Sequence, residues 1–175
     1  MAEALKEHGD TRFDDEFISL LVQVSSLHDI GKVGIRDSIL LKPDKLTEEE
    51  FEIMKKHTTI GYNVIQEAIV SSGLLNSIYL DTTQKIILHH HECWNGTGYP
   101  NGLKDTEISI EGRIMSLVDV YDALRSKRVY KNEFSHHKAV DIIAAESGKK
   151  FDPNLVRVFL SIEKEFEKIS NTFRD

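Results

Sequence analysis

The pair His28-Asp29 is the first point in this sequence where the residue types could carry out chemistry. An imidazole is followed there directly by a carboxylate, after an apolar helix-like run and just before Gly31. Neutral imidazole and ionised carboxylate bind the same borderline divalent cations, so a metal ion would account for both groups. Such a pair is more often a packed core histidine beside an aspartate that caps a helix. His28-Asp29 alone therefore does not predict a metal site.

Three consecutive histidines, His89, His90 and His91, form a second candidate site. His90 and His91 each lie four residues after an isoleucine, whereas His89 lies four residues after a lysine. Residues that are four apart share one face of a helix. The spacing therefore predicts that His90 and His91 point inward and that His89 is more exposed.

His57 and two aspartates add to these candidates. His57 lies on the apolar stripe of a predicted helix, and Asp119 and Asp122 both border the apolar face of a later helix. The spacing does not distinguish between the two aspartates. Four helix-like segments thus each bring an imidazole or a carboxylate to a buried face, without enough basic residues to neutralise the carboxylates. This combination favours a metal site, because buried charges are usually paired or coordinate metals.

Helical periodicity and capping signals predict the elements that position these groups. No stretch alternates apolar and polar residues as a strand would, so the predicted fold is all-α, a helical bundle in a single domain over residues 1–175. The first predicted helix runs from Ala2 to Gly9, and the second is capped by Asp14 or Asp15 and ends at Gly31. A capping box at Thr47 opens the third helix, the fourth opens near Asp81, and the fifth carries Ile114 and Tyr121. The sixth runs from Ser135 to Gly148, and Asp152-Pro153 opens the last.

Two details of this scheme concern the site. The helix that opens at Thr47 is predicted to pack one face against the core. The residues of this inner stripe are Phe51, Met54, Gly61, Val64, Ile65 and Ala68. The segment 92–104 is rich in glycine and turn-forming residues and directly follows the histidines. We expect this segment to be a lid or a substrate wall, since loops on a rigid scaffold often carry binding residues.

Composition limits the class of protein. With 175 residues, of which 40% are hydrophobic and 29% charged, the chain fits one globular core. The formal net charge of -7 and the lack of a lysine- or arginine-rich block argue against a nucleic-acid polymer as a partner. Cys93 is the single cysteine, and the sequence has neither an apolar run that could span a bilayer nor a secretory signal. We therefore expect a cytoplasmic protein in a reducing compartment.

Several motifs resemble, in their order, those of the HD-GYP domains, a branch of the HD metal-dependent phosphohydrolases. The motifs are His28-Asp29-Ile30-Gly31-Lys32, the lone His57, the stretch from His90 to Pro100, the stretch from Asp119 to Leu124, and the stretch from Arg128 to Lys131. The similarity extends from about Phe17 to Phe159. It implies a helical bundle of the HD phosphohydrolase type that hydrolyses cyclic di-GMP, a bacterial second messenger, to linear pGpG and often onward to GMP.

The resemblance also implies a metal centre of two divalent ions. The implied ligands are His28, Asp29, His57, His90, His91 and Asp119. Asp29 would bridge the two ions, with His28 and Asp119 on one of them and the remaining three histidines on the other. Iron or manganese is favoured, and zinc, cobalt or nickel would also suit a site of imidazoles and carboxylates.

Four further positions match family residues near the substrate. Lys32, Arg128 and Lys131 match positions that contact phosphate, and Tyr99 matches the tyrosine of the Gly-Tyr-Pro loop. The resemblance thus implies Asp29 and Lys32 as catalytic residues. Arg128 and Lys131 are also compatible with being two solvated surface charges, which as an isolated pair would contribute little.

The sequence departs from the family pattern at its start. Family members carry another metal-binding histidine on a helix before the His-Asp pair, and His8 comes too late in its helix to match. We therefore expect a domain truncated at its N-terminus, with its first metal-ligand helix incomplete, less than a full complement of metal and slow or absent turnover. The resemblance also implies a longer regulatory protein, with a sensor or receiver domain upstream.

An alternative to the enzyme follows from the same departure. A domain with one incomplete metal site could bind the cyclic dinucleotide or a partner protein without turnover. A third hypothesis, another HD-type phosphohydrolase that acts on mononucleotides, is disfavoured by the Gly-Tyr-Pro loop.

Overall fold

The computed structural model describes residues 1–72, 78–126 and 133–172, and this part of the chain contains no β-strand. Two 3₁₀ turns, Ile30–Gly34 and Asp105–Glu107, follow α2 and α6. The helices are α1 (Ala2–Glu7), α2 (Asp15–Ser25), α3 (Asp37–Leu40), α4 (Glu48–Lys55), α5 (His57–Ser72), α6 (Ile78–His89), α7 (Ile110–Arg125), α8 (His136–Ala145), α9 (Pro153–Ser161) and α10 (Glu163–Thr172). The all-α prediction is confirmed. Within the described ranges, no helix combines the length and the apolar character needed to cross a bilayer.

Side-chain caps form at four of the helix starts that the sequence predicted. Asp14 caps α2, and Thr47 forms a complete capping box with Glu50 at the start of α4. Ser135 and Asp152 cap α8 and α9. A cap satisfies backbone N–H groups that the first helical turn leaves without partners, and it typically stabilises a helix by about 1 kcal/mol. These starts could be predicted because each cap depends only on residues two or three positions apart.

The core lies where α2, α6, α7, α8 and α9 pack on one another. Its fully buried side chains include Val24, Ile86, Leu117, Ile143 and Phe159. Burying each such side chain contributes about 1.5–3 kcal/mol relative to leaving it in water. This packing holds α6 against α7, and three of the predicted metal ligands, His90, His91 and Asp119, lie at the end of α6 and along α7.

Helix α2 is shorter than the sequence predicted. It ends at Ser25, so His28-Asp29 lies in turns beyond the helix, and Gly31 lies inside a 3₁₀ turn. A Cβ at Gly31 would come within 1.8 Å of the His57 carbonyl oxygen and 2.4 Å of the Gly61 nitrogen. Glycine is therefore needed there for the close approach of two backbones, not for ending a helix. This approach places His28-Asp29 against the start of α5.

The predicted third helix is in fact two helices, α4 and α5, separated at Lys56. A turn between two helices shifts the phase of the helical periodicity, so one stripe cannot continue through both. The predicted inner stripe is accordingly wrong at Phe51, Val64 and Ala68, which are exposed, whereas Ile69 is buried.

Three further boundaries differ from the prediction. α6 already includes Ile78, and Asp81 lies in its first turn, where it pairs with Lys85 at 2.6 Å. Asp81 therefore does not cap the helix; its negative charge in the first turn interacts favourably with the positive end of the helix dipole. The predicted last helix is split into α9 and α10 at Ile162, and the short helix α3 lies between Gly31 and Thr47, where no helix was predicted.

Candidate metal centre

The six predicted metal ligands come from four parts of the fold: the turns after α2, the start of α5, the end of α6 and the middle of α7. In that order they are His28 and Asp29, His57, His90 and His91, and Asp119. α5 packs against both the first 3₁₀ turn and α6, and α6 packs against α7. These contacts bring all four parts of the fold to one region.

Four of these residues form the tightest group, which we name the Asp29 cluster: Asp29, His57, His90 and His91. One potential ligand atom from each lies within 4.8 Å of those of the others. His57 Nε2 is 3.4 Å from His90 Nε2 and 3.4 Å from Asp29 Oδ1. Two nitrogens bound at about 2.1 Å to one tetrahedral ion would be about 3.4 Å apart. The spacing therefore matches a shared cation.

Hydrogen bonds at the outer ring nitrogens fix how these imidazoles face the cluster. His57 donates Nδ1–H to the Met54 carbonyl oxygen at 2.8 Å, and His90 donates Nδ1–H to the Ile86 carbonyl oxygen at 3.0 Å. Because a carbonyl oxygen only accepts, Nδ1 carries the hydrogen of each neutral ring and Nε2 presents a lone pair. Metal-binding histidines are commonly oriented by such a bond from the other ring nitrogen.

Asp29 gives an independent indication that the cluster fits a cation. Its Oδ1 atom is buried and has no hydrogen-bond partner among the described residues, although His57 Nε2 and His90 Nε2 lie 3.4 and 3.9 Å away. Those nitrogens have no hydrogen to donate. Leaving a buried polar atom unsatisfied costs about 1–3 kcal/mol, and more when the group is charged. A divalent ion would remove this cost, so the donor set of imidazoles and carboxylate could hold a metal ion.

The second oxygen of Asp29 faces a different group. Asp29 Oδ2 lies 3.2 Å from His28 Nε2 and accepts a hydrogen bond from the Lys32 ammonium. His28 Nε2 is also 3.8 Å from Asp119 Oδ1, and His28 Nδ1 donates to the Ser25 carbonyl oxygen at 2.7 Å. The two oxygens of one carboxylate thus point toward two sets of ligands, which is the geometry a bridging carboxylate needs.

Burial keeps the imidazoles of the Asp29 cluster neutral. Burial, and after it the neighbouring imidazoles, lower the pKa of His90 to about 4 and the pKa of His91 to about 2. Burial also lowers the pKa of His57. Metals bind the neutral form of imidazole, so these side chains are in their ligating form at neutral pH.

His28 and Asp29 balance burial against each other's charge. Burial acts to raise the pKa of Asp29, but hydrogen bonds from His28 and Lys32 outweigh it and hold that pKa well below its usual range. Burial acts to lower the pKa of His28, but its hydrogen bonds with Asp29 and a backbone carbonyl outweigh it and raise that pKa. Asp29 is therefore ionised at neutral pH and supplies the negative charge of the site.

Tyr99 covers one side of the Asp29 cluster. Its ring stacks on the ring of His91, with centroids 4.8 Å apart and an interplanar angle of 25°. Burial, and then the charges of Asp29 and Asp119, raise the pKa of the Tyr99 phenol. The hydroxyl is therefore protonated at neutral pH and can donate a hydrogen bond to an anion.

Glu92 holds the loop that carries Tyr99, and the sequence analysis did not single it out. Glu92 is 1% exposed, and its carboxylate accepts the backbone N–H groups of Asn101 at 2.7 Å and of Leu103 at 3.1 Å. Gly98 lies so close that a Cβ there would be 2.5 Å from the Glu92 Cα. The available signal was an acidic residue between a histidine pair and a glycine-rich loop, since such loops leave N–H groups that need an acceptor.

The structure distinguishes the two aspartates that spacing left open. Asp119 is half-buried and faces His28, whereas Asp122 is exposed one turn further along α7. Of the two aspartates, Asp119 is therefore the one placed to share a metal ion with His28.

His89 points away from the Asp29 cluster, and it is less buried than His90. It is nevertheless half-buried, because its Nδ1 accepts the Ser109 N–H at 3.2 Å and its Cβ would be only 2.3 Å from a Cβ at Gly112. Helical spacing gives the direction of a side chain but not the helix that packs on it, which here is α7.

Of the other residues considered for the site, Lys32 lies at the Asp29 cluster, whereas His8 lies elsewhere and two cations are outside the described residues. Lys32 lies beside Asp29, where its ammonium binds the carboxylate. Arg128 and Lys131 lie outside the described residues, so their predicted phosphate contacts stay a prediction. His8 is exposed and bonds through Nδ1 to the Ala4 carbonyl oxygen at 2.7 Å, away from the Asp29 cluster.

The chain is similar over most of its length to an HD family model and to several known phosphodiesterases. Residues 6–155 match the family model of the HD domain. The chain is 51% identical, over 91% of its length, to a cyclic di-GMP phosphodiesterase of Vibrio cholerae, and 45% identical, also over 91%, to a cyclic di-GMP phosphodiesterase of Thermotoga maritima. It is 37% identical over 89% of its length to the 3′3′-cGAMP-specific phosphodiesterase 2 of Vibrio cholerae.

The chain spans less than half the length of these relatives. The matched regions cover 32% of the first, 41% of the second and 28% of the third. Each relative is therefore a longer protein than the region that it shares with this chain.

Proposed function

The chain belongs to the HD domain family, and from this membership and the Asp29 cluster we propose that it is a phosphodiesterase of the HD-GYP type that hydrolyses cyclic di-GMP to linear pGpG. One observation carries the metal-dependent part of this proposal. The buried Asp29 Oδ1, which has no hydrogen-bond partner within the described ranges, faces the lone pairs of His57 and His90. The activities of the two relatives named cyclic di-GMP phosphodiesterases support the substrate.

The proposed cofactor is a pair of divalent metal ions. One ion would be held by His57, His90, His91 and Asp29, and the other by His28, Asp119 and Asp29. When bound, such ions lower the pKa of a water molecule and stabilise negative charge on phosphate oxygens. Mixed imidazole and carboxylate ligands accept iron, manganese, zinc, cobalt or nickel. We favour iron or manganese, because carboxylates suit manganese and mixed sets of histidines and a carboxylate are typical of iron.

Lys32 and Tyr99 are proposed to position a phosphate of the substrate. The Lys32 side chain is 40% exposed, so its ammonium can contact a phosphate oxygen while it remains near Asp29. The Tyr99 hydroxyl is protonated at neutral pH and can donate to the same phosphate. We also propose Arg128 and Lys131 for further phosphate contacts, since a guanidinium can bind two phosphate oxygens at once.

The proposed reaction adds one water molecule across one phosphodiester bond. The water oxygen forms a bond to phosphorus, the P–O3′ bond breaks, and the leaving O3′ oxygen takes a proton. The linear product pGpG therefore carries a new 5′-phosphate. The same step on the remaining phosphodiester would give two molecules of GMP.

The test is product analysis of protein loaded with iron or manganese under anaerobic conditions. We expect cyclic di-GMP to be converted to pGpG, and Asp29→Asn protein to form no product. Tight nucleotide binding with full metal but without linear product would instead establish a nucleotide-binding domain. Hydrolysis of 3′,3′-cyclic GMP-AMP in preference to cyclic di-GMP would keep the reaction but reject the substrate.

A further inference from the structure

Phe51 is a large aromatic residue that remains exposed beside the site. Phe51 lies on α4 and is 45% exposed. Its ring contacts the ring of Tyr99 edge-on, with centroids 6.2 Å apart and an interplanar angle of 84°. Tyr99 in turn stacks on His91 of the Asp29 cluster. Two ring contacts therefore connect an exposed aromatic face with the candidate metal centre.

Phe51 also lines a cavity of about 300 Å³ beside α4. This volume is at the lower end for small-molecule sites, and its lining is largely apolar, as is usual for such sites. The same turn of α4 faces the metal centre, because the Met54 carbonyl oxygen accepts Nδ1–H of His57 at 2.8 Å. Besides Phe51, the cavity is lined by four apolar residues, Ile39, Leu40, Leu46 and Met54, and by three charged ones, Lys42, Asp44 and Lys45.

Lys55 adds a positive charge next to these rings. Its Nζ atom is 5.1 Å from the ring centroid of Phe51 and 5.6 Å from that of Tyr99. Its side chain is 29% exposed and also pairs with Glu52 at 2.6 Å. A partly exposed ammonium beside an aromatic face can donate to the O6 and N7 acceptors of a guanine base.

We propose that Phe51 is a base-stacking residue, against which one purine base of the cyclic dinucleotide packs, and that Lys55 donates to the acceptor edge of that base. This inference rests on the proposed function. One ribose separates a base from its phosphate, so a nucleotide whose phosphate lies at the Asp29 cluster can place its base at Phe51. Stacking on an aromatic side chain typically changes affinity roughly 5- to 150-fold per base.

The test compares Phe51→Leu and Phe51→Trp with a control at another exposed aromatic residue, Tyr79→Ala. Tyr79 lines a separate groove with Arg12 and Phe17. Leucine keeps apolar packing but removes the aromatic face, so we expect Phe51→Leu to raise Kd and KM for cyclic di-GMP at least about fivefold. Metal content and kcat should change little, and Tyr79→Ala should leave all these quantities unchanged.

Phe51→Trp gives a readout that a purely structural role would not change. The chain has one native tryptophan, Trp94, so the new indole provides a separate fluorescence signal. We expect Phe51→Trp to keep its affinity and its added fluorescence to be quenched by cyclic di-GMP. An unchanged Kd in Phe51→Leu, or an indole that does not respond to bound nucleotide, would overturn the inference while leaving the proposed function intact. Wild-type protein that binds cyclic di-GMP without hydrolysing it would reject only the proposed function, and wild-type protein that does not bind it would reject both.

Discussion

His57 Nε2 and His90 Nε2 lie 3.4 Å apart, and each ring holds its hydrogen on the opposite nitrogen through a bond to a backbone carbonyl. Neither nitrogen can therefore donate to the other or to Asp29 Oδ1, which is 3.4 Å from His57 Nε2. Three buried acceptors without a donor are unfavourable together unless a cation lies among them. This part of the fold is thus arranged for binding at the expense of chain stability.

The two aspartates of α7 should differ in their effect on metal binding. Asp119 faces His28 at 3.8 Å, whereas Asp122 is exposed on the same helix. We expect Asp119→Ala to lower metal content, because one set of ligands loses its second carboxylate, and Asp122→Ala to leave it unchanged. Elemental analysis of both variants, purified in parallel, measures this. Equal metal loss in the two would remove Asp119 from the site.

His89 and His91 lie only two residues apart in the sequence but should affect different properties. His91→Ala should reduce metal content, since His91 belongs to the Asp29 cluster. His89→Ala should keep the metal but lower the free energy of unfolding by about 1 kcal/mol, because the Ser109 N–H loses its acceptor. Denaturant unfolding and metal analysis of both variants separate the two effects. Loss of metal from His89→Ala comparable to that from His91→Ala would show that His89 is a ligand.

The direction of His90 and His91 could be predicted because the helical spacing continues through the end of α6. The His90 N–H still bonds to the Ile86 carbonyl oxygen at 3.1 Å. The capping box that Thr47 forms with Glu50 was equally predictable, since both residues lie within one helical turn. Such features depend on local chain geometry alone.

The rest depends on contacts between distant segments, which spacing does not contain. Gly31 was predicted as a helix end, but it is glycine because the backbone of His57 passes so close to it. The choice of Asp119 over Asp122 depends on where His28 lies across the bundle. The break at Lys56 likewise follows from how α4 and α5 pack, and it misplaced the predicted stripe.

Metal-free protein should lose stability as the pH falls below about 6.5. The pKa of His90 in the folded protein is about 4, against an ordinary value of 6.5. Between these values the unfolded chain binds a proton that the folded chain does not, so the free energy of unfolding falls by up to about 1.4 kcal/mol per pH unit for each such histidine. The contribution of neutral His90 to the free energy of unfolding is fully present above pH 6.5, and it is lost as the pH falls through the folded pKa of about 4.

Thermal unfolding in the presence of a chelator between pH 4 and 7 measures this dependence. His90→Gln protein is the matched control, and its melting temperature should depend less on pH in the same window, because it lacks the titrating imidazole. A melting temperature of the wild-type protein that is constant from pH 7 to pH 4 would contradict neutral burial of these rings.

Glu92 should control the loop of Tyr99 through its two backbone hydrogen bonds. Glu92→Gln keeps the size of the side chain but replaces one acceptor oxygen with a donor, so the free energy of unfolding should fall by about 1–3 kcal/mol. KM for cyclic di-GMP should rise, since Tyr99 is then held less firmly. Glu107→Gln is the control, because Glu107 accepts one backbone N–H, that of Lys104 at 2.9 Å, from an exposed position. Equal effects of the two substitutions would show that the burial of Glu92 is unimportant.

A metal titration of the apo protein, with occupancy and cyclic di-GMP hydrolysis measured together, tests directly whether Asp29 holds the metal centre. The titration is carried out on the wild type and on Asp29→Asn. The two oxygens of Asp29 face the two sets of ligands, so this one substitution should weaken both sites. We expect hydrolysis in the wild type to rise with occupancy, and Asp29→Asn to show little metal binding and no linear product. Undiminished metal binding in Asp29→Asn, or hydrolysis by wild-type protein kept free of metal, would contradict a metal centre built on Asp29.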